Sequence, residues 1–394
     1  MIMNTIDFKT KTTFLERCNA SVRGYWTVAL DIGYSAIKGI SPNRVYSFPS
    51  FARKIENGEI MSSFGVASDT DIQYRDETGA VWDVGALAID MTKKDDTREN
   101  SQSLYGRNRY FSPMFKVIAR VGIALGLIPN EFGTPKDRKL VIQTGLPPAY
   151  LKSDSQYIRE VLSGTHKFEI KLGKEKWKTV EFELTEKDIK IMAQPMGSLF
   201  SASLNNDCNN VPDGNDYFES GTLVLDGGFG TLDMFAMRHR HIESSDTHDN
   251  LGMKAVFQRT ADEIFDKYGV EIPVHIMQQY LKEGTVSKFN RAEMKTEKID
   301  FSATLEKHNR EVCMEAIEKV KSIYNNLLDY KYLLVAGGTG AAWYNIIKQH
   351  FAGMVDLKVI NCWDNDTIPP IFSNVRGYYL FCVGLLRAQN RSGE

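Results

Sequence analysis

Two eight-residue segments, 195 positions apart, follow a single pattern: Asp31-Ile-Gly-Tyr-Ser-Ala-Ile-Lys38 and Asp226-Gly-Gly-Phe-Gly-Thr-Leu-Asp233. Each follows a β-rich apolar run, Trp26-Thr-Val-Ala-Leu30 in the first case and Thr222-Leu-Val-Leu225 in the second. After the Asp come any residue, a Gly, an aromatic, a small residue, a small or hydroxyl residue, a branched aliphatic and a charge. A strand that ends in Asp and folds back through Gly makes a hairpin whose tip exposes backbone N–H groups. One such hairpin is a turn, and Asp beside Gly often does no more than cap it. Two of them facing each other form a clamp that can hold a polyphosphate, with a carboxylate on each side to manage a metal.

The rest of the chain sets limits on that reading. At 394 residues it exceeds one ordinary core, so two domains are expected. A net charge of −2 does not indicate a basic face for direct nucleic-acid binding. Cys18, Cys208, Cys313, Cys362 and Cys382 are scattered and show no C-x-x-C spacing, which argues for reduced thiols rather than a disulfide frame or zinc site. Residues 1–25 carry Lys9, Lys11, Glu16, Arg17 and Arg23 without an apolar stretch, so they read as a polar extension and not a signal peptide. No run approaches the ~18 apolar residues of a membrane span. A cytoplasmic location is the expectation.

Hydrophobic patterning places strands and helices in alternation, the mark of an α/β protein. A hairpin is expected over 74–84, turning near Thr78-Gly79, and a helix over 113–127, closed by Gly126 and Pro129. A buried strand follows at 140–144. Alternation over 166–184 predicts a second hairpin around Gly173, followed by a strand at 189–192 and a helix from Pro195 to Leu204. Residues 205–220, rich in Asn, Asp and Gly, read as a loop crossing between domains. Beyond the second Asp hairpin, helices are expected over 254–268 and 274–282, then a polar region over 288–309, then a helix through Leu328. Tyr332-Leu-Leu-Val-Ala336 is a buried strand that opens through Gly337-Gly-Thr-Gly340 into a helix, and a C-terminal helix contains Leu380, Val383 and Leu386.

Within this frame Asp31 and Asp226 are suited to hold the hydration shell of a Mg²⁺ that bridges phosphates, because magnesium dehydrates reluctantly. Gly33, Gly228 and Gly230 let the backbone approach phosphate oxygens without a Cβ. Lys38 is aligned to reach a phosphate as a point charge, or to sit solvated at its strand end. Its partner position in the second hairpin is Asp233, so the halves are not equivalent in charge. Gly337-Gly-Thr-Gly340, between a strand and a helix, is a nucleotide-type turn that favours an anion and admits a ring or ribose. Read alone it also resembles a tubulin-type GTPase loop, which leaves the paired Asp hairpins unexplained. No GxxxxGK[ST] occurs, so a P-loop is not supported.

The order of Asp-x-Gly hairpin, Asp-Gly-Gly-x-Gly-Thr hairpin and Gly-Gly-Thr turn resembles the actin, heat-shock-70 and sugar-kinase superfamily. Details resemble its actin-like branch and, within it, the bacterial ParM-type plasmid-segregation proteins. Asp31…Lys38 is similar to actin's first phosphate loop, and Thr144-Gly-Leu-Pro147 resembles the turn that ParM relatives place before an inserted β-hairpin, here 166–184. The resemblance implies an actin-like ATPase fold with two ribonuclease-H-like domains flanking a nucleotide cleft: 26–205 with 365–394 as domain I, 206–364 as domain II, and 1–25 as an N-terminal extension. It implies that Lys190-Ile-Met-Ala-Gln194 ends in a catalytic polar residue that orients the attacking water. Gln194 stands where ParM carries glutamate and actin glutamine, and Gln143 is a weaker candidate that could equally be a buried strand glutamine bonded to backbone. Tyr34 stands where actin has a phosphate-contacting serine, which shifts any hydroxyl contact to Ser35. Gly227, Phe229, Thr231, Gly252, Gly337, Gly338, Thr339 and Gly340 complete the expected nucleotide site. The expected function is an ATPase or GTPase, dependent on Mg²⁺, that polymerises into filaments and segregates plasmid DNA through a DNA-binding adaptor. The alternatives are a small-molecule kinase, which needs a general base beside the second hairpin, and a non-plasmid cytoskeletal scaffold. A heat-shock-70-type chaperone would need a peptide-binding domain for which the length leaves no room.

Overall fold

In the computed structural model the described residues are 8–55, 68–92, 107–291 and 293–392. Strands and helices are numbered along the chain. A first sheet contains β1 (Thr13–Glu16), β2 (Tyr25–Ile32), β3 (Ala36–Ser41), β4 (Arg44–Pro49), β8 (Lys139–Leu146) and β11 (Ile189–Ala193), ordered β1-β4-β3-β2-β8-β11. A second contains β5 (Ala52–Lys54), β6 (Ile72–Arg75), β7 (Val81–Val84), β9 (Gly164–Leu172) and β10 (Lys178–Leu184), ordered β10-β9-β6-β7-β5. A third contains β12 (Thr222–Gly227), β13 (Thr231–Arg238), β14 (His241–Asp249), β17 (Tyr332–Ala336) and β18 (Lys358–Asn361), ordered β14-β13-β12-β17-β18.

The duplication seen in two short segments extends to whole sheets. In the first sheet β4, β3 and β2 run antiparallel in succession, and β8 and β11 then add in parallel. In the third, β14, β13 and β12 are antiparallel and β17 and β18 add in parallel. Each Asp hairpin is therefore the central turn of one copy of the same five-stranded topology.

The helices are α1 (Ala86–Met91), α2 (Pro113–Leu127), α3 (Pro148–Leu162), α4 (Gln194–Ser203), α5 (Met253–Tyr268), α6 (Val274–Tyr280), α7 (Ser302–Ile323), α8 (Gly337–His350) and α9 (Ser373–Ser392), with a single turn at Asp216–Glu219. Helix α2 starts where Ser112 accepts a hydrogen bond from the Phe115 N–H and Pro113 presets the first turn. It covers one face of the first sheet, while α9 covers the other through Val375, Tyr379, Cys382 and Val383. The third sheet carries α5, α7 and α8 on one face and α4 on the other, where Leu199 and Ala202 meet Val224 and Leu334. Helices α4 and α9 thus lie between the two sheets and cross each other. The crossing is bare backbone: a Cβ on Gly377 would lie 1.7 Å from the Gly197 carbonyl oxygen. Among the described residues no helix is long and apolar enough to cross a membrane.

Two expectations change, at residues 13–16 and 288–309, and two features are added to what the sequence suggested. Residues 13–16, read as part of a polar extension, form β1 on the edge of the first sheet, paired with β4. The 166–184 hairpin pairs through β9 with β6, joining the 72–84 hairpin in one sheet. The region 288–309 holds a two-stranded hairpin, β15 (Thr285–Asn290) and β16 (Lys295–Asp300), and α7 begins at Ser302. Helix α3 was not anticipated, because it buries only Asp154, Ile158 and Leu162.

Candidate functional site

Both Asp hairpins close through the same bond. The Gly33 N–H donates to the Ala36 carbonyl at 3.1 Å, and the Gly228 N–H donates to the Thr231 carbonyl at 2.9 Å. Register then decides their electrostatics, since residues directly opposite across an antiparallel pair face each other. Asp31 is opposite Lys38, and Asp226 is opposite Asp233. The first pair is a salt bridge, with Lys38 Nζ 2.8 Å from Asp31 Oδ2. The second brings two buried carboxyls together. Burial, and after it the nearby Asp226, pushes Asp233 up to about 8, although the Thr231 and Thr247 hydroxyls donate to it at 3.1 and 2.7 Å. Burial also pushes Asp226 up to about 6; the Asn374 amide, donating at 2.6 Å, pulls it back, and Asp31 adds to the rise.

The two hairpins open onto one cavity of about 350 Å³. Asp31, Gly33, Tyr34, Ser35, Lys38, Gln194, Asp226, Gly228, Phe229, Thr231, Asp233, Gly337, Gly338 and Thr339 all line it. Gln194 begins α4 directly after β11, and its amide nitrogen lies 3.4 Å from Asp31 Oδ1. Gly337 carries a φ of 79°, and a Cβ there would lie 2.3 Å from the Gly227 carbonyl and 2.6 Å from Asp226 Oδ1, so this position requires glycine on both counts. Thr339 ties the turn to the second hairpin by donating to the Gly228 carbonyl at 2.7 Å.

Other predicted residues stand behind the wall. Gly227, Gly230, Gly252 and Gly340 do not line the cavity. Gly227 abuts Gly340, where a Cβ would lie 2.6 Å from the Gly340 nitrogen. Gly252 precedes α5, whose Lys254 N–H donates to the Phe229 carbonyl at 2.8 Å. The Gln143 amide donates to the Thr144 and Lys190 carbonyls at 3.0 and 3.3 Å; it is the buried strand glutamine and does not reach the cavity.

Three features escaped sequence reasoning. Arg109 is buried and donates to the Gly33 carbonyl at 3.0 Å, with its guanidinium 4.2 Å above the Tyr34 ring. That ring lies over the second hairpin, since a Cβ on Gly230 would be 2.9 Å from it, so Tyr34 joins the two tips. Burial pushes its hydroxyl up to about 12. Asn374 reaches Asp226 from α9, and its Oδ1 accepts from the Ser198 hydroxyl of α4. Phe8, Lys9, Thr10, Lys11 and Thr13 also line the cavity.

Among the described residues no group of three or more His, Cys, Asp or Glu side chains could hold a metal directly. What the cavity offers is carboxyls from opposite sheets, Asp31 on one side and Asp226 and Asp233 on the other, with bare glycine turns and lysines, a donor set suited to a hydrated cation carried in on phosphates.

Residues 29–197 match the family of actin like proteins, N terminal domain. By structure, the chain is similar to a non-polymerisable quadruple mutant of pCBH ParM, with 25% identity, a TM-score of 0.68, and 91% of this chain and 99% of that one covered. It is similar to the same degree, with identical values, to a 15-stranded ParM filament from Clostridium botulinum. An archaeal actin homologue, Ta0583, in complex with ADP, shares the fold at 16% identity and a TM-score of 0.58 over 93% of this chain and 99% of its own. No curated protein matches by sequence.

Proposed function

We propose that this chain, an actin-like protein similar along most of its length to ParM filament proteins, hydrolyses a nucleoside triphosphate and polymerises into dynamic filaments. The observation that carries the reading is the pair of matched hairpins: Asp31 and Asp226 approach one cavity from two copies of the same sheet, with the Gln194 amide beside Asp31.

Asp31 and Asp226 would hold the water shell of a Mg²⁺ bound to the phosphates; such an ion, when bound, neutralises charge developing on the transferred group. Two observations fit it: Asp226 is buried beside other carboxyls with a raised pKa, and each of the two Asp residues is oriented by a donor, Lys38 or Asn374. The N–H groups of the hairpin tips and Lys38 bind phosphate oxygens. Gln194, at the start of α4, orients the attacking water, a positioning role that suits phosphoryl transfer with little covalent chemistry from the protein. The turn at Gly337–Gly340 and the start of α5 border base and ribose. Helices α4 and α9, crossing between the sheets, form the joint about which the halves close on nucleotide.

The cellular task is plasmid segregation in the cytoplasm, with an adaptor on plasmid DNA engaging a filament end; direct nucleic-acid contact by this chain is not part of the proposal. Electron microscopy of purified protein with Mg²⁺ and ATP, with GTP and without nucleotide tests the assembly. Filaments should form with a triphosphate. Their absence with both nucleotides, together with phosphate transfer to a small molecule, would favour the kinase.

A further inference from the structure

The segment that sequence reasoning set aside as an extension crosses the cleft from one half to the other. Phe8 packs on the core of the third-sheet half. The Thr10 N–H donates to Gln278 Oε1, on α6, at 2.9 Å. The chain then joins the first-sheet half: the Lys11 carbonyl accepts from the Ser47 hydroxyl at 3.1 Å, and β1 pairs with β4 from Thr13 onward. Between these anchors the strap forms part of the cavity wall.

Its charges matter because of what the rest of the wall carries. Apart from the strap, the ionisable acids and lysines of the lining are Asp31, Asp226 and Asp233 against Lys38 alone. Lys38 is already bonded to Asp31. With Asp233 held up to about 8 and so largely protonated at neutral pH, a polyphosphate entering such a wall still meets the carboxyls of Asp31 and Asp226 against one ammonium. Lys9 and Lys11 also line this cavity, and no ion pair of either side chain is formed with the described residues.

We propose that Lys9 and Lys11 are phosphate-binding residues on a strap that ties the two halves together, so that polyphosphate in the cleft holds the strap, and with it the closed arrangement, in place. This rests on the nucleotide reading of the cavity. An ammonium on a flexible stem reaches a phosphate as a point charge, and charge-assisted hydrogen bonds of this kind are strong where the site is partly desolvated. Because the strap's backbone is held by Gln278 on one side and β4 on the other, seating its lysines on phosphate opposes separation of the halves.

The test compares wild type with the double variant K9Q/K11Q. Affinities are measured for non-hydrolysable ATP and GTP analogues, for ADP and GDP, and for the free nucleosides, with hydrogen exchange of the Thr10 amide as a second readout. The variant should bind the triphosphate analogue on the order of ten-fold or more weakly. It should lose less for the diphosphate and nothing for the nucleoside, with K9R/K11R restored toward wild type. Triphosphate should protect the Thr10 amide in wild type and not in K9Q/K11Q. Equal triphosphate affinity in wild type and variant overturns the proposal and leaves the nucleotide reading standing. Equal losses for triphosphate and nucleoside also overturn it, since they would make the strap a packing element. A wild-type protein that binds no triphosphate overturns the nucleotide reading itself.

Discussion

Gly377 is the position where one methyl group should do the most damage. A Cβ there would lie 1.7 Å from the Gly197 carbonyl oxygen, 2.5 Å from its carbon and 2.9 Å from its Cα, all of them backbone atoms that cannot rotate away. A carbon–oxygen contact is ordinarily no closer than about 3.3 Å, so Gly377→Ala must drive α9 and α4 apart by roughly 1.5 Å. Alanine favours a helix interior by about 1 kcal/mol over glycine, whereas overpacking costs about 1–3 kcal/mol and sometimes more, so the net effect is destabilising. The expected loss is a few degrees of melting temperature, at about 2–4 °C per kcal/mol for chains above 150 residues. Function should suffer more than stability. Helix α4 begins at Gln194, and α9 carries Asn374 onto Asp226, so separating them moves both groups; displacements near 1 Å can cost about 100-fold in rate. The assays are thermal melting and phosphate release at saturating nucleotide. Gly384→Ala is the matched control on the same helix, because a Cβ there has open space and should be neutral or slightly stabilising. A Gly377→Ala protein with wild-type melting and wild-type turnover would refute the account of the crossing, and so would equal damage from Gly384→Ala.

Two further outcomes follow. Gln194→Ala should slow hydrolysis by about 10²- to 10⁴-fold while leaving nucleotide affinity nearly unchanged, and should lengthen filament lifetime; phosphate release and disassembly at the wild-type rate would make Gln194 structural. Asp233 is ordinarily a carboxyl near 3.8 and is pushed up to about 8 by burial, so its burial cost is absent at low pH, grows as pH rises through that window and is complete above it. Asp233→Asn should therefore raise the stability of the nucleotide-free protein above pH 8, by on the order of a few kcal/mol, and flatten the decline between about pH 4 and 8, read as the melting temperature against pH; an unchanged pH profile would contradict the assigned burial cost.

The sequence showed what depends on local pattern. The strands that carry Asp31 and Asp226 and the strongly apolar helix at Pro113–Leu127 lie where their spacing placed them, because each carries its own turn chemistry or core face; Gly337–Gly340, read as a turn before a helix from about Ala341, is instead the first turn of α8 itself. Contacts made by distant parts of the chain were hidden. Asn374 meets Asp226 across 148 positions, and nothing in a lone asparagine on a helix announces that. Arg109 acts through a backbone carbonyl at Gly33, which leaves no trace in residue type. Helix α3 did leave one: Leu151, Asp154, Ile158 and Leu162 fall three and four apart, but its other positions are too polar for the stripe to stand out. The β15–β16 hairpin buries only Val286 and Ile299, too few apolar residues to mark a strand pair. The strap of residues 8–13 looks like an extension because its partners lie in both halves of the fold rather than beside it in sequence.

The central claim is that two carboxyls, one from each copy of the sheet, make this cleft a hydrolase. It is tested most directly by phosphate release from Asp226→Ala in Mg²⁺, beside wild type at matched nucleotide occupancy. The side chain is buried at a net desolvation cost, so its removal should leave the protein folded, which circular dichroism checks. The account predicts nucleotide turnover by wild type and none above background by the folded variant; turnover by Asp226→Ala at the wild-type rate would contradict it.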